Sequence, residues 1–231
     1  MNKEKGMIDR VKKHFQDEAD TFDARVVKSV PFYADMLEAL VSVLPFKRME
    51  ARKILDLGCG TGSISKKIKE HFPKALVTCV DFSENMLEIA KNKLRGYRDI
   101  RYVVSDVRAF DFSGYDAVVS SLTLHHLRRG QEKLGLYKKI YSGLRKGGVL
   151  YLADLVLGET DHLQRLNLEM WKGFLSQHLS AKGMNERRRR YKREDRPFKL
   201  SEELAWLKQA GFRHIDVVWK YYHFAVFGGQ K

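Results

Sequence analysis

Three features of this chain predict an open α/β fold with a seven-stranded, mostly parallel sheet. Short β-branched and apolar runs alternate with helix-length spacers from residue 53 to 156, the pattern of βαβ units. The first run, Ile54-Leu55-Asp56-Leu57, turns directly through Gly58-Cys59-Gly60-Thr61-Gly62 into a helical pattern. The chain ends on two neighbouring strand-like runs, 212–220 and 223–227. A tight turn between them makes a hairpin and sets the last strand antiparallel in an otherwise parallel sheet.

Each element has its own signal. Helices are expected at 8–20 and 32–44, the second opened by Pro31 in a favoured first-turn position. Strand and helix then alternate: Lys53–Leu57, helix 62–72, Leu76–Asp81, helix 83–95, strand 100–105, a short irregular crossing, strand 115–121, helix 131–145 and strand 148–156. After Gly158 the rhythm breaks. Residues 160–180 read as a long helix with Leu163, Leu166, Met170 and Phe174 on one stripe and Trp171, Leu175 and Leu179 beside it. So wide an apolar face calls for cover on more than one side. Ser201, with Glu203 nearby, is the expected N-cap of a further helix, and Gly211 its C-cap. These runs divide the chain into an N-terminal helical cap (1–50), an α/β core (51–158), a helical lid insertion (159–200) and a C-terminal helix and hairpin that complete the core sheet (201–231).

Composition narrows the class. With 231 residues, 44% of them hydrophobic, the chain is long enough for one sizeable core. No apolar run approaches the roughly 18 residues of a membrane span, and residues 1–20 lack the apolar centre of a signal peptide. Two cysteines, Cys59 and Cys79, give no disulfide framework. A cytoplasmic location without a membrane partner is the expectation. The net charge is +14 and concentrated: residues 181–199 hold nine basic and three acidic side chains, Arg187 to Arg190 among them. Such a field attracts an anionic substrate or nucleic acid; it equally suits a solvated helix face. The eight histidines and two cysteines show no metal-ligand spacing, so no metal is expected.

The glycine turn has a chemical bias. Its spacing is G-x-G-x-G rather than the G-x-G-x-x-G that faces a pyrophosphate, and Asp56 stands two residues before the first glycine. A carboxylate there repels phosphate and suits a cationic ligand. Further acids end the next two strands: Asp81, nineteen residues after Gly62, and Asp106, beside Val107. Carboxyl ends of strands are where open α/β sheets bind ligands, and a carboxylate after the second strand suits a ribose diol. Taken singly, each acid could be a plain loop residue or helix cap.

Residues 51–158, with these positions in this order, resemble the Rossmann-like class I methyltransferases that use S-adenosyl-L-methionine (SAM). The resemblance implies that the loop of Asp56, Gly58, Cys59, Gly60 and Gly62 wraps the methionine end of SAM. It implies that Asp81 takes the ribose hydroxyls, that Asp106 takes the adenine amino group, and that Val107 lies by the ring. Phe82 and Met86 are candidates to pack on the adenine, Met86 being equally a core residue. The fourth strand runs through Ser121 into Leu122-Thr123-Leu124-His125-His126, a loop that should border the transferring methyl. It lacks the [DN]-P-P-[YF] sequence of enzymes that methylate exocyclic base amines. His125, His126 and Asp154 are the candidate general bases by location, or else residues that cap and pack the loop.

Beyond the core, residues 22–33, including Lys28-Ser29-Val30-Pro31-Phe32-Tyr33, resemble the N-terminal segment of the carboxy-SAM synthases. Those enzymes make carboxy-SAM from SAM and prephenate for a tRNA wobble-uridine modification. The segment's pattern is R-S-V-P-x-Y, and the resemblance implies that Tyr33 faces the cofactor. It also implies a carboxylate-binding arginine before the last helix, for which Arg190 is the nearest match. Two departures stand out: the glycine loop is a full G-C-G-T-G, and Ser121 stands where asparagine is usual. The favoured expectation is therefore a SAM-dependent methyltransferase acting on a small, anionic acceptor and releasing S-adenosyl-L-homocysteine (SAH). Carboxy-SAM synthesis is the first alternative; an RNA-binding methyltransferase, or a SAM-binding sensor, is the second. The apolar face of 160–180 would suit a homodimer.

Overall fold

The computed structural model describes residues 21–231; the helix expected at 8–20 lies outside them. Seven strands build one sheet: β1 (Lys53–Leu57), β2 (Leu76–Asp81), β3 (Ile100–Val104), β4 (Ala117–Ser121), β5 (Val149–Leu155), β6 (Arg213–Tyr221) and β7 (Phe224–Gln230). Their order is β3-β2-β1-β4-β5-β7-β6. The first five run parallel, and β7 lies antiparallel between β5 and β6. Strand order reverses between β1 and β4, which opens a crevice at their carboxyl ends.

The helices are α1 (Phe22–Val26), α2 (Tyr33–Ser42), α3 (Ser63–His71), α4 (Glu84–Leu94), α5 (Gly130–Gly143), α6 (Asp161–His178), α7 (Ala181–Glu194) and α8 (Leu200–Ala210). Side chains alternate across the sheet, so β1 feeds two cores. Ile54 joins Met36, Leu40, Ile64, Ile68 and Leu87 of α2, α3 and α4 on one face. Leu55 and Leu57 join Leu136, Tyr137, Ile140 and Leu207 of α5 and α8 on the other. That alternation puts Asp56 on the α3 side, where Ser65 meets it.

The structure corrects three local expectations. Pro31 does not open α2: the helix begins at Tyr33, and Phe32 between them takes a left-handed φ of 52° that separates Pro31 from the first turn. Ser201 does not cap α8. Its hydroxyl and its N–H both donate to Glu159, at 2.7 and 3.1 Å, while Glu202 accepts the Lys199 N–H at 2.9 Å. Glu203, two residues after Ser201, is fully buried, ion-paired with Lys133 and hydrogen-bonded by Tyr137 at 2.6 Å. Finally, among the described residues only one side of α6 is covered. Trp171 and Leu175 are buried, and the Trp171 indole donates to the Ser29 carbonyl at 2.8 Å. Leu163, Leu166 and Met170, about 100° round the helix, are 41, 36 and 38% exposed.

Candidate active site

The first cavity lies at the carboxyl ends of β1, β2 and β4 and holds about 590 Å³ of space, part of it open to solvent. Its floor is the glycine loop. Gly58, Gly60 and Gly62 all have positive φ (72, 52 and 80°), a region that β-carbons disfavour. A Cβ on Gly58 would sit 2.3 Å from a Thr123 methyl, whereas one on Gly60 would meet nothing within 4 Å. Gly58 is therefore required by packing, and Gly60 leaves open space for a ligand.

Asp56 is buried under this loop. Its Oδ2 accepts the Ser65 hydroxyl at 2.7 Å and the Ser65 N–H at 3.1 Å; its Oδ1 has no partner. Burial, with a smaller push from Asp81, raises its pKa to about 7. A buried, unpartnered carboxylate oxygen facing a cavity is the feature a cationic ligand needs. Asp81 accepts the Gly60 and Ser83 N–H groups, both at 2.9 Å, which ties the loop to β2. Burial pushes its carboxyl up as well.

Most of the expected cofactor residues converge here: Tyr33, Asp56, Gly58, Cys59, Gly60, Asp81, Phe82, Met86 and Ser121 all line the cavity. Tyr33 lines it from the first turn of α2, and burial drives its phenol pKa up. The Ser121 hydroxyl is buried with no partner, a second polar group waiting for a ligand. Gly62 shapes the turn without lining it, packed on Leu94 and Ala90. Asp106 and Val107 are outside the lining. The Asp106 carboxylate is clasped by Arg108 at 2.5 and 2.9 Å, and Val107 is packed in the core beneath α5.

Two lining residues, Ser63 and Ile64, carried no sequence signal; Phe22, Thr61, Leu122 and Thr123 also line the cavity and belong to the N-terminal segment, the glycine turn and the loop after β4 that the sequence marks. Leu122 holds φ 50° at the end of β4, backbone strain of the kind that collects at functional sites. Asp23 binds Thr61 at 2.6 Å and Lys93 at 2.6 Å, which pins α1 over the glycine loop.

A second cavity, about 550 Å³, adjoins the first. Both share Phe22, Leu122 and His126. Arg25, Arg187 and Arg190 line it, with His125 and Asp195. The four consecutive arginines thus separate by helical phase. Arg187 and Arg190 turn inward on α7, and Arg188 and Arg189 are exposed. Arg190 is paired with Glu194 at 3.0 Å. The Arg187 guanidinium stacks 5.0 Å over Trp171 and keeps one buried nitrogen, Nη1, without a hydrogen bond.

His125 and Asp154 form a buried pair. The His125 ring Nδ1 lies 2.5 Å from Asp154 Oδ1, and the His125 N–H donates to Oδ2 at 2.9 Å. Burial opposes the Asp154 charge, but His125 and Lys133 outweigh it and hold the carboxyl below its usual range. Burial, then His125, lowers the pKa of His126 to about 4.

Comparison with known proteins agrees with this picture. A methyltransferase-domain family model matches residues 54–148. Curated relatives include the carboxy-S-adenosyl-L-methionine synthase of Campylobacter hominis, 31% identical over 96% of each chain. That of Nautilia profundicola is 30% identical over 92% of this chain and 91% of its own. Solved structures with the same fold include human N-acetylserotonin methyltransferase in complex with SAM (TM-score 0.60, 17% identity, 84% of this chain and 51% of that one). Haemonchus contortus phosphoethanolamine N-methyltransferase 2 with SAM is another (TM-score 0.64, 20% identity, 88% and 45%). The chain spans about half the length of these two structures.

Fold and site together define a SAM-dependent enzyme of the class I methyltransferase fold. The two unpartnered oxygens of Asp56 and Ser121, and the open space over Gly60, fit that cofactor. Within this class, the chain belongs to the carboxy-S-adenosyl-L-methionine synthase family. No helix among the described residues is long and apolar enough to cross a membrane.

Proposed function

We propose that the chain makes a carboxylated SAM, with SAM in the first cavity and a small carboxylic acid in the second. The observation that carries this reading is the second cavity: three arginines face a space that meets the cofactor cavity at Phe22, Leu122 and His126. Relatives along nearly the whole chain are named for carboxy-SAM synthesis, and prephenate is the acid that the family resemblance suggests.

SAM supplies an electron-poor sulfonium and its attached methyl group. The protein's part is placement, which alone is worth about 7–11 kcal/mol when reacting groups are well oriented. Asp56 Oδ1 takes the ammonium of the methionine end, and Asp81 takes the ribose hydroxyls. Phe82 and Met86 flank the base, and Tyr33 with Ser121 closes the sulfur side. Asp106 reaches an adenine amino group only by giving up Arg108. Arg187 offers Nη1, which makes no hydrogen bond and stands 3.5 Å from Asp195, to the acid's carboxylate, and Arg25 and Arg190 complete a positive wall. Residues 159–200 serve as a lid that keeps water from the junction.

A second reading, methyl transfer to a small anionic acceptor, is favoured by the buried His125–Asp154 pair at the same junction. An imidazole oriented by a carboxylate is a good general base for an acceptor that carries a proton. Mass spectrometry of the small molecule released from purified protein separates the two. Carboxy-SAM supports the first reading. SAH or unmodified SAM alone, even with prephenate supplied during purification, favours methyl transfer.

A further inference from the structure

The wall between the two cavities brings together three side chains that the cofactor reading does not fully use. Asp195 Oδ1 lies 3.6 Å from His125 Nε2 and 3.7 Å from His126 Nδ1. One donor atom from each residue falls within 4.8 Å of the others. These separations exceed hydrogen-bond length. The two carboxylate–imidazole separations are close to the spacing of donors around a small ion: bonds of about 2.1 Å place tetrahedral neighbours about 3.4 Å apart, and a small closure of the histidines would complete the set.

The surroundings are those of a ligand set. Asp195 is buried, and its Oδ2 accepts no hydrogen bond; the nearest cation, Arg187, stands 3.5 Å from that oxygen, leaving Oδ1 toward the histidines. His125 is oriented from behind, since Asp154 takes its Nδ1 and leaves Nε2 toward Asp195. A carboxylate behind the ligating imidazole is the usual support of a metal-binding histidine. Burial keeps the His126 ring uncharged, as a donor must be. His126 Nδ1 also lies 3.4 Å from the Glu194 carbonyl, a long contact that ligation replaces. Arg25, Arg187 and Arg190 oppose a cation here, while Asp154 and Asp195 favour one.

We propose that His125, His126 and Asp195 bind one divalent first-row transition ion of the zinc type. Two imidazoles and one carboxylate suit zinc, cobalt or iron rather than magnesium or calcium, which take all-oxygen sets. Three protein donors leave a position open, and here it faces the second cavity. An ion there would meet an oxygen of the second substrate; that role rests on the proposed function, whereas metal binding does not.

The test is titration of the untagged, chelator-stripped full chain with cobalt(II) chloride, read by visible absorption, with SAH binding measured on the same samples. The expected result is one saturable equivalent with the intense bands of four-coordinate cobalt and no thiolate charge-transfer band. Zinc should displace the cobalt, and magnesium should not. The near-isosteric Asp195→Asn should weaken cobalt binding at least ten-fold while SAH still binds, and His126→Ala should weaken cobalt binding by at least as much. Absence of saturable binding by the wild type overturns the proposal. So does wild-type affinity in both variants, or a thiolate band that reports Cys59 or Cys79 as the ligand. Loss of SAH binding by the wild type would instead count against the cofactor reading alone.

Discussion

Lowering the pH from 7 to 5 should weaken SAM binding far more than any general loss of charge would. Asp56 has a pKa of about 7 in the free protein because it is buried with one oxygen unpartnered. If that oxygen takes the ligand's ammonium, the bound form needs the carboxylate. Binding then releases a proton wherever Asp56 starts protonated, so affinity falls about ten-fold per pH unit well below 7 and about fifty-fold between pH 7 and 5. The ligand's own amine stays protonated across that interval, since α-amino groups titrate near 7.7–8.0. Calorimetric titration with SAH at several pH values, in buffers of different ionisation enthalpy, measures both the affinity and the proton count. Asp56→Asn keeps the Ser65 contacts, loses the charge, and should bind about 10–100-fold more weakly at pH 7 with a flat pH profile. The same substitution should stabilise the ligand-free protein at pH 8. An acid whose pKa is raised by folding makes its full contribution below the unfolded pKa and loses it as pH rises to 7, by up to about 4 kcal/mol here. A wild-type profile as flat as the variant's, or a variant that binds as tightly at pH 7, refutes the role given to Asp56.

Other substitutions probe separate parts of the account. Gly58→Ala adds a methyl 2.3 Å from Thr123 at a φ of 72°; it should lower the melting temperature and weaken SAH binding more than ten-fold, while Gly60→Ala keeps the stability closer to wild type. Arg187→Ala should raise the KM for the acidic substrate at least ten-fold and leave SAH affinity within two-fold, as steady-state kinetics beside calorimetry would show. Glu203→Ala leaves Lys133 buried without its counter-ion and should cost about 3–5 kcal/mol in chemical denaturation. Arg188→Gln with Arg189→Gln changes only exposed charge; catalysis should be unchanged, and a large loss in a filter-binding assay with tRNA would revive the RNA reading.

Much of this was legible in the sequence because local rules and the fold agree. β1 and β2 begin and end where their apolar runs do, since parallel strands buried on both faces read as near-continuous apolar runs. The glycines follow β1 directly, so the turn and its preceding acid could be placed without coordinates. The second cavity was not legible. Which of four identical arginines faces inward depends on the phase of α7, set by Tyr191 and Arg187 packing on Trp171. Asp195 meets His125 and His126 across some seventy residues of chain, and no spacing rule encodes that approach. The demand for glycine at position 58 comes from Thr123, on another strand's loop. Glu203 read as a helix-start residue because capping acids and buried ion-pair acids look alike until burial is known.

The central claim is that SAM and a small carboxylic acid meet at the junction of the two cavities. Incubation of the purified protein with SAM and prephenate, followed by mass spectrometry of the nucleoside products, addresses it most directly. The account predicts a product heavier than SAM by one carbon dioxide, formed only when both substrates are present and lost in Asp81→Ala. Unchanged SAM, or SAH alone, would contradict it.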